Sequence, residues 1–374
     1  MRSPQSHSAG AARTSIGSHS RSVVHNFGAS WMRLADALDA AWMHPLLRAA
    51  ADRQLGLFTA ADARRAGYEH PEIQHLCSSG TWRRLRRGVY VTAEALAALE
   101  EKGRRHQADC LGVLLEVTRP TAAISHESAA RLWGFPVRRH LRGEVRLTDP
   151  ILSRRGRGYR VTQAPLRRGE LTTRGPFRLT APSRTLLDCA REWSLDDAVV
   201  ALDAALLAGT VTARQLTEGV AALRGWPRAA RAARAVALAD GRAESPLETR
   251  GRLRIVGAGL PLPDLQREIH AAGRLVAVVD GWFEEAALAV EFDGQIKYTD
   301  PWRERSPERV LWEEKRREDE LRALDIRVVR IADADLGPGW PRTETRLREL
   351  LASPGPAVRR FSTTARARGR QRSG

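Results

Sequence analysis

The run Leu275-Val276-Ala277-Val278-Val279-Asp280, followed closely by Ala287-Leu288-Ala289-Val290-Glu291-Phe292-Asp293-Gly294, decides how the C-terminal third folds. Each half is a short apolar run, which predicts a strand, and the short link between them predicts a hairpin. The first strand ends in Asp280. In the second, Glu291 and Asp293 stand two apart and so share one face of a regular strand. Gly294 permits a break there. Three carboxylates converging at strand ends are what a hard divalent cation such as Mg2+ requires. A metal held there polarises a phosphodiester and lowers the pKa of an attacking water. Lys297, four residues past Asp293, supplies positive charge suited to a developing phosphorane. Each residue also has a plainer role. Asp280 suits a turn, and Asp293-Gly294 suits a hairpin turn.

Outward from this hairpin, residues 244–352 have an α/β order. Strands are predicted at 266–270, 274–280, 287–293 and 326–332, a charged helix at about 306–324 and a final helix near 342–352. Ser245-Pro246-Leu247-Glu248 opens the first helix as a capping box with proline at its first position, which by itself accounts for Glu248. Upstream, 93–241 reads as a mixed region. A helical pattern covers 93–118 and another 125–132. Short strands follow at 144–147, 159–161 and 177–179, then helices at 184–207, 212–222 and 227–239, with Gly241 at the domain edge. His126 and Glu127 suit a structural helix N-terminus and are given no role.

Residues 44–92 form a compact pattern of their own. Pro45 to about Ala51 is an amphipathic helix. Thr59 with Asp62 caps a short helix that Gly67 ends. His70-Pro71 starts a third, which Ser78-Ser79-Gly80 stops. Trp82-Arg83-Arg84-Leu85-Arg86-Arg87-Gly88-Val89-Tyr90-Val91 then gives two short strands around a basic turn. Three short helices and a basic hairpin are the order of a winged helix-turn-helix. Such a third helix enters the major groove, exposing Glu72, Gln74, His75 and Ser78, of which Gln74 suits adenine. Arg83, Arg84, Arg86 and Arg87 would contact phosphates.

Composition agrees. The 374 residues suggest two or three domains, and 43% hydrophobic content is enough for packed cores. A net charge of +17 attracts polyanions, of which nucleic acid is the commonest. No stretch approaches the roughly 20 apolar residues of a spanning helix. The three cysteines, Cys77, Cys110 and Cys189, form neither a disulfide framework nor a zinc pattern and fit a reducing cytoplasm. Residues 1–43 and 353–374 read as disordered tails. The fold expected is multidomain α+β: an N-terminal winged helix-turn-helix at 44–92, a mixed α/β middle region at 93–241, and a C-terminal α/β domain at 244–352.

Several of these motifs resemble known families. The run Ser245-Pro246-Leu247-Glu248-Thr249-Arg250, Gly257-Ala258-Gly259-Leu260-Pro261, Val279-Asp280, Val290-Glu291-Phe292-Asp293-Gly294, Trp312 to Leu321 and Arg327-Val328-Val329-Arg330 resembles the PD-(D/E)xK nucleases, in particular very-short-patch-repair endonucleases. The resemblance implies a restriction-endonuclease-like fold with Mg2+ or another divalent cation. It implies Asp280 as main ligand, Glu291 or a neighbouring carbonyl beside it, and Glu248 from the first helix. Asp293 stands where the superfamily usually carries lysine, which leaves Lys297 as its substitute. The 45–92 unit resembles the N-terminal domain of AbiEi-type antitoxins through Gly56-Leu57-Phe58-Thr59-Ala60-Ala61-Asp62-Ala63, Gly80 and Trp82 to Tyr90. That resemblance implies a winged helix on double-stranded DNA, with a cognate toxin as a possible partner. The expected function is a metal-dependent DNA endonuclease delivered by its own winged helix. The alternative is a non-enzymatic transcriptional regulator or antitoxin carrying an inactive nuclease fold.

Overall fold

The computed structural model describes residues 43–294 and 307–366, excepting the side chains of 307–311, 313 and 314. The chain divides into two compact units, one ending at Ala108 and the other beginning at Asp109.

The first unit runs α1 (Pro45–Asp52), β1 (Leu57–Thr59), α2 (Ala60–Arg65), α3 (His70–Ser78), β2 (Trp82–Arg86), β3 (Val89–Thr92) and α4 (Ala93–Glu101). Its sheet has the order β1-β3-β2, antiparallel throughout. Thr59 caps α2 as the sequence predicts: its hydroxyl accepts from the Asp62 N–H at 3.1 Å, and the Asp62 carboxylate accepts from the Thr59 N–H at 2.9 Å. Strand β1 is an addition. Leu57 and Phe58, to which the sequence assigns no element, pair with Val91 and Tyr90. The core gathers Leu47, Ala51, Phe58, Ala63, Ile73 and Trp82. Trp82 is its centre, with the Phe58 ring edge-on at 4.6 Å and Tyr68 at 5.1 Å.

Helix α5 (Arg105–Val117) leads into the second unit. There β4 (Ala123–Ile124), α6 (His126–Trp133), β5 (Val145–Asp149), β6 (Arg154–Gly156), β7 (Tyr159–Gln163), β8 (Leu171–Arg174) and β9 (Phe177–Thr180) build a mixed six-stranded sheet, order β6-β7-β5-β4-β9-β8. The predicted strands are β5, β7 and β9. Strands β4, β6 and β8, two to four residues each, fall below what alternation can mark. Four helices follow: α7 (Pro182–Glu192), α8 (Leu195–Leu207), α9 (Ala213–Ala222) and α10 (Ala229–Leu238). The helix expected over 184–207 is two, because Ser194 caps α8 by accepting from the Asp197 N–H at 3.2 Å.

The C-terminal elements are α11 (Pro246–Gly257), β10 (Asp264–Ala271), β11 (Arg274–Phe283), β12 (Leu288–Asp293), α12 (Pro307–Ala323), β13 (Arg327–Ala332), α13 (Trp340–Ala352) and β14 (Ser362–Ala365). Their sheet has the order β13-β12-β11-β10-β14, with β12 and β13 parallel and the other neighbours antiparallel. One face packs Leu288, Val290 and Phe292 against Leu247 and Ile255 of α11 and Leu347 of α13. The other packs Ala277, Val279 and Ala289 against Leu321 of α12. Asp203 of α8 ties α11 down, accepting from Thr249 Oγ1 at 2.8 Å and Arg252 Nη2 at 2.9 Å.

The tail expected to be disordered from 353 is corrected in part. Ser362–Ala365 adds to β10 as the fifth strand, and Phe361 packs edge-on against Trp282. A nine-residue gap after α13, residues 353–361, with no apolar alternation hides such a strand from sequence reading. Among the described residues no helix is long and apolar enough to cross a membrane.

Candidate functional site

The first candidate surface is the basic hairpin and the helix before it. In α3 only Ile73 is buried, while Gln74 and His75 are exposed. The Gln74 amide lies 2.9 Å from His70 Nε2, one helical turn back, so it exchanges that partner before it can read a base. In the hairpin, Arg84 pairs with Tyr90 and Arg86 with Val89, which makes Leu85 a bulge. Gly88, at φ +70°, closes the turn in the left-handed region. Arg83, Arg84 and Arg87 are exposed, and among the described residues no carboxylate comes within ion-pair distance of them. Arg86 is half-buried, so the four arginines predicted to act alike divide three to one.

The second candidate is a pair of buried acids. Asp280 and Glu248 are 4% and 5% exposed. Strand β11 loses its alternation at Asp280: Val279 and Trp282, three apart, both pack in the α12-side cluster. Opposite this point, Leu265 pairs with Gly281 and Arg267 with Val279, leaving Gln266 at φ +50°. The break lets Asp280 meet α11. Its Oδ2 accepts from the Phe292 N–H at 2.9 Å. Its Oδ1 lies 3.3 Å from Gln266 Nε2, which also donates to Glu248 Oε2 at 3.1 Å. The two carboxylates therefore converge on one amide nitrogen.

Half of the capping box predicted for α11 forms. The Ser245 hydroxyl accepts from the Glu248 N–H at 3.1 Å, but the Glu248 carboxylate reaches past Ser245 to the Glu244 N–H at 2.8 Å. Burial, with the Asp280 charge adding to it, pushes the Glu248 carboxyl up to about 7.

Of the three strand carboxylates expected to converge, Asp280, Glu291 and Asp293, it is Asp280 that stands in this pair, and its partner is Glu248 of α11. On β12, Glu291 follows Ala289 toward the α12 side, where it accepts from Arg317 Nη2 at 3.0 Å and lies 3.5 Å from Arg330 Nε. Phe292 takes the α11 side. Asp293 ends the strand opposite Ala332, half-buried. Among the described residues no group of three or more His, Cys, Asp or Glu side chains is arranged to hold a metal ion. Lys297, Tyr298 and Trp302 lie outside the described residues, as do positions 1–42 of the N-terminal tail. Lys315 is exposed on α12, and Asp319 lies 3.7 Å from Arg322. Sequence reading missed Gln266 and Arg366. Arg366 Nη1 lies 3.3 Å from Gln266 Oε1 and also bonds the Glu244 carboxylate. Neither residue stands in a motif, and only the pairing of β10 with β14 joins them.

Two comparisons bear on this geometry. Residues 45–93, the α1–β3 unit with its arginine hairpin, match a family described as transcriptional regulator, AbiEi antitoxin. Over 213 residues the chain is also 33% identical to two uncharacterized proteins of Mycobacterium tuberculosis, MT2308 of strain CDC 1551 and Rv2248 of strain H37Rv. The match covers 55% of this chain and 71% of each relative. The chain belongs to the same family as these mycobacterial proteins.

Proposed function

We propose that the chain is a DNA-binding transcriptional regulator of the AbiEi antitoxin type. The observation that carries this reading is the set of exposed arginines Arg83, Arg84 and Arg87 on the hairpin that follows α3, which no carboxylate among the described residues neutralises, within the residues that match that family. Three guanidiniums held together in solvent raise the local positive field, and duplex phosphates relieve it. Helix α3 presents Gln74 and His75 for base edges, and the arginines set its register from the backbone. A cognate toxin is the protein partner this reading implies. Footprinting on the promoter of its own gene tests it: a specific protected site is expected, and its absence counts against the reading.

A second reading, metal-dependent DNA hydrolysis, is favoured by one observation, the convergence of Glu248 and Asp280. Two buried carboxylates aimed at one point fit a hard cation in donor type. These two residues would hold Mg2+, which when bound supplies polarisation of a phosphodiester and a more acidic water. Lys297 is the cation this reading assigns to the developing charge, with Asp293 in the position the resembled nucleases give to lysine. Glu291, already shared between Arg317 and Arg330, is assigned to holding α12 and β13. Plasmid nicking in Mg2+ compared with Asp280→Ala separates the two readings. Nicking by the unaltered protein alone supports hydrolysis, whereas no nicking, or equal nicking by both, removes it.

A further inference from the structure

We propose that the Gln266 carboxamide is a built-in stand-in for a cation between Glu248 and Asp280, aimed there by Arg366 of the C-terminal strand. The inference deepens the second reading and rests on its carboxylate pair.

An amide NH2 carries two hydrogens and no acceptor. Gln266 Nε2 lies 3.1 Å from Glu248 Oε2 and 3.3 Å from Asp280 Oδ1, so each hydrogen faces one carboxylate. A divalent cation held by both carboxylates would need the room this nitrogen occupies. The amide supplies positive partial charge to two acids that burial would otherwise leave facing each other.

The backbone is bent to allow this. Gln266 sits mid-strand at φ +50°, a left-handed conformation that a side chain adopts only where the surroundings impose it. The surroundings are β14. Ala365 pairs with Arg267, which brings the next residue, Arg366, against Gln266. The Arg366 N–H donates to the Gln266 carbonyl at 3.1 Å, and Arg366 Nη1 donates to Gln266 Oε1 at 3.3 Å. The Arg366 side chain, 8% exposed, is fixed by the Glu244 carboxylate. With Oε1 held by a guanidinium, the NH2 end has to face the acids. The C-terminal strand thus keeps the pair satisfied without a metal, and a cation enters only by displacing the amide.

The test uses the full chain, with Mn2+ binding followed by calorimetry and by electron paramagnetic resonance of the free ion. Thermal unfolding with and without Mn2+ is measured alongside. Gln266→Ala is expected to bind Mn2+ about tenfold more tightly than the unaltered protein, the factor recovered when a competitor occupying a site about nine-tenths of the time is removed. In chelator this variant is expected to unfold at lower temperature, with Mn2+ restoring the loss. Adding Asp280→Asn is expected to abolish both effects. Arg366→Ala, which keeps the amide but frees it, is expected to fall between. Mn2+ binding by Gln266→Ala that is equal to or weaker than that of the unaltered protein overturns the proposal, as does binding indifferent to Asp280. Should Gln266→Ala not fold, Arg366→Ala decides by the same comparison. Plasmid hydrolysis is scored separately: cation binding without nicking removes the endonuclease reading and leaves this proposal standing.

Discussion

Arg83, Arg84 and Arg87 hold their charges in solvent with no carboxylate among the described residues to meet them, whereas Glu248 and Asp280 are buried and share the side-chain amide of Gln266. The arginine hairpin needs little from its surroundings: a bulge, a left-handed glycine and an aromatic core beneath it. The acid pair needs a broken strand, a strained backbone at Gln266, a helix N-terminus and a strand from the end of the chain. One surface is therefore ready for a partner, and the other is already satisfied internally.

The largest expected break in this comparison is at Trp82, under the hairpin. Trp82→Ala removes the ring that Phe58 and Tyr68 pack against. It should cost the first unit about 3–5 kcal/mol, with DNA binding lost through unfolding. Urea unfolding of the full chain measures this, and a loss below about 1 kcal/mol would show that the hairpin stands without its core.

The acid pair should instead show itself through pH. The Glu248 carboxyl is raised in the folded state, to about 7 from 4.5. The folded protein therefore holds this proton more tightly than the unfolded chain does. Its contribution is fully present below pH about 4.5 and is lost as pH rises through about 7, amounting to on the order of 3 kcal/mol. Stability measured from pH 5 to 8 should fall for this reason. Glu248→Gln should flatten that fall, and an unchanged pH profile in the variant contradicts the assignment.

A smaller effect is expected beside the pair. A Cβ on Gly251 would meet Phe292 Cε1 at 1.9 Å. Gly251→Ala should therefore push Phe292, and with it the N–H that holds Asp280, at a cost of about 1–3 kcal/mol by thermal unfolding. No change in melting would mean that Phe292 has room to move aside.

The same contrast explains what sequence could and could not show. The hairpin is legible because four arginines among five consecutive residues, a turn glycine and a preceding cap are all local signals. Asp280 and Glu248 are legible as motif residues for the same reason. That Glu248 bypasses its capping partner, and that Glu291 turns to Arg317 and Arg330, depends on strand alternation and on helix packing, which span many residues. Gln266 and Arg366 are illegible for a sharper reason: they are 100 residues apart and meet only through the register of β10 with β14. The short strands β1, β4, β6 and β8 fail for want of length, since two to four residues cannot display a period.

Binding of the full chain to duplex DNA from its own promoter, as a function of salt, tests the regulator reading most directly when the unaltered protein is compared with Arg83→Gln/Arg84→Gln/Arg87→Gln. A specific protected site is expected for the unaltered protein. The triple variant should bind more weakly, with the slope of log affinity against log salt shallower by about 3, close to one per lost phosphate contact. No specific protection, or the same slope in both proteins, would contradict that reading.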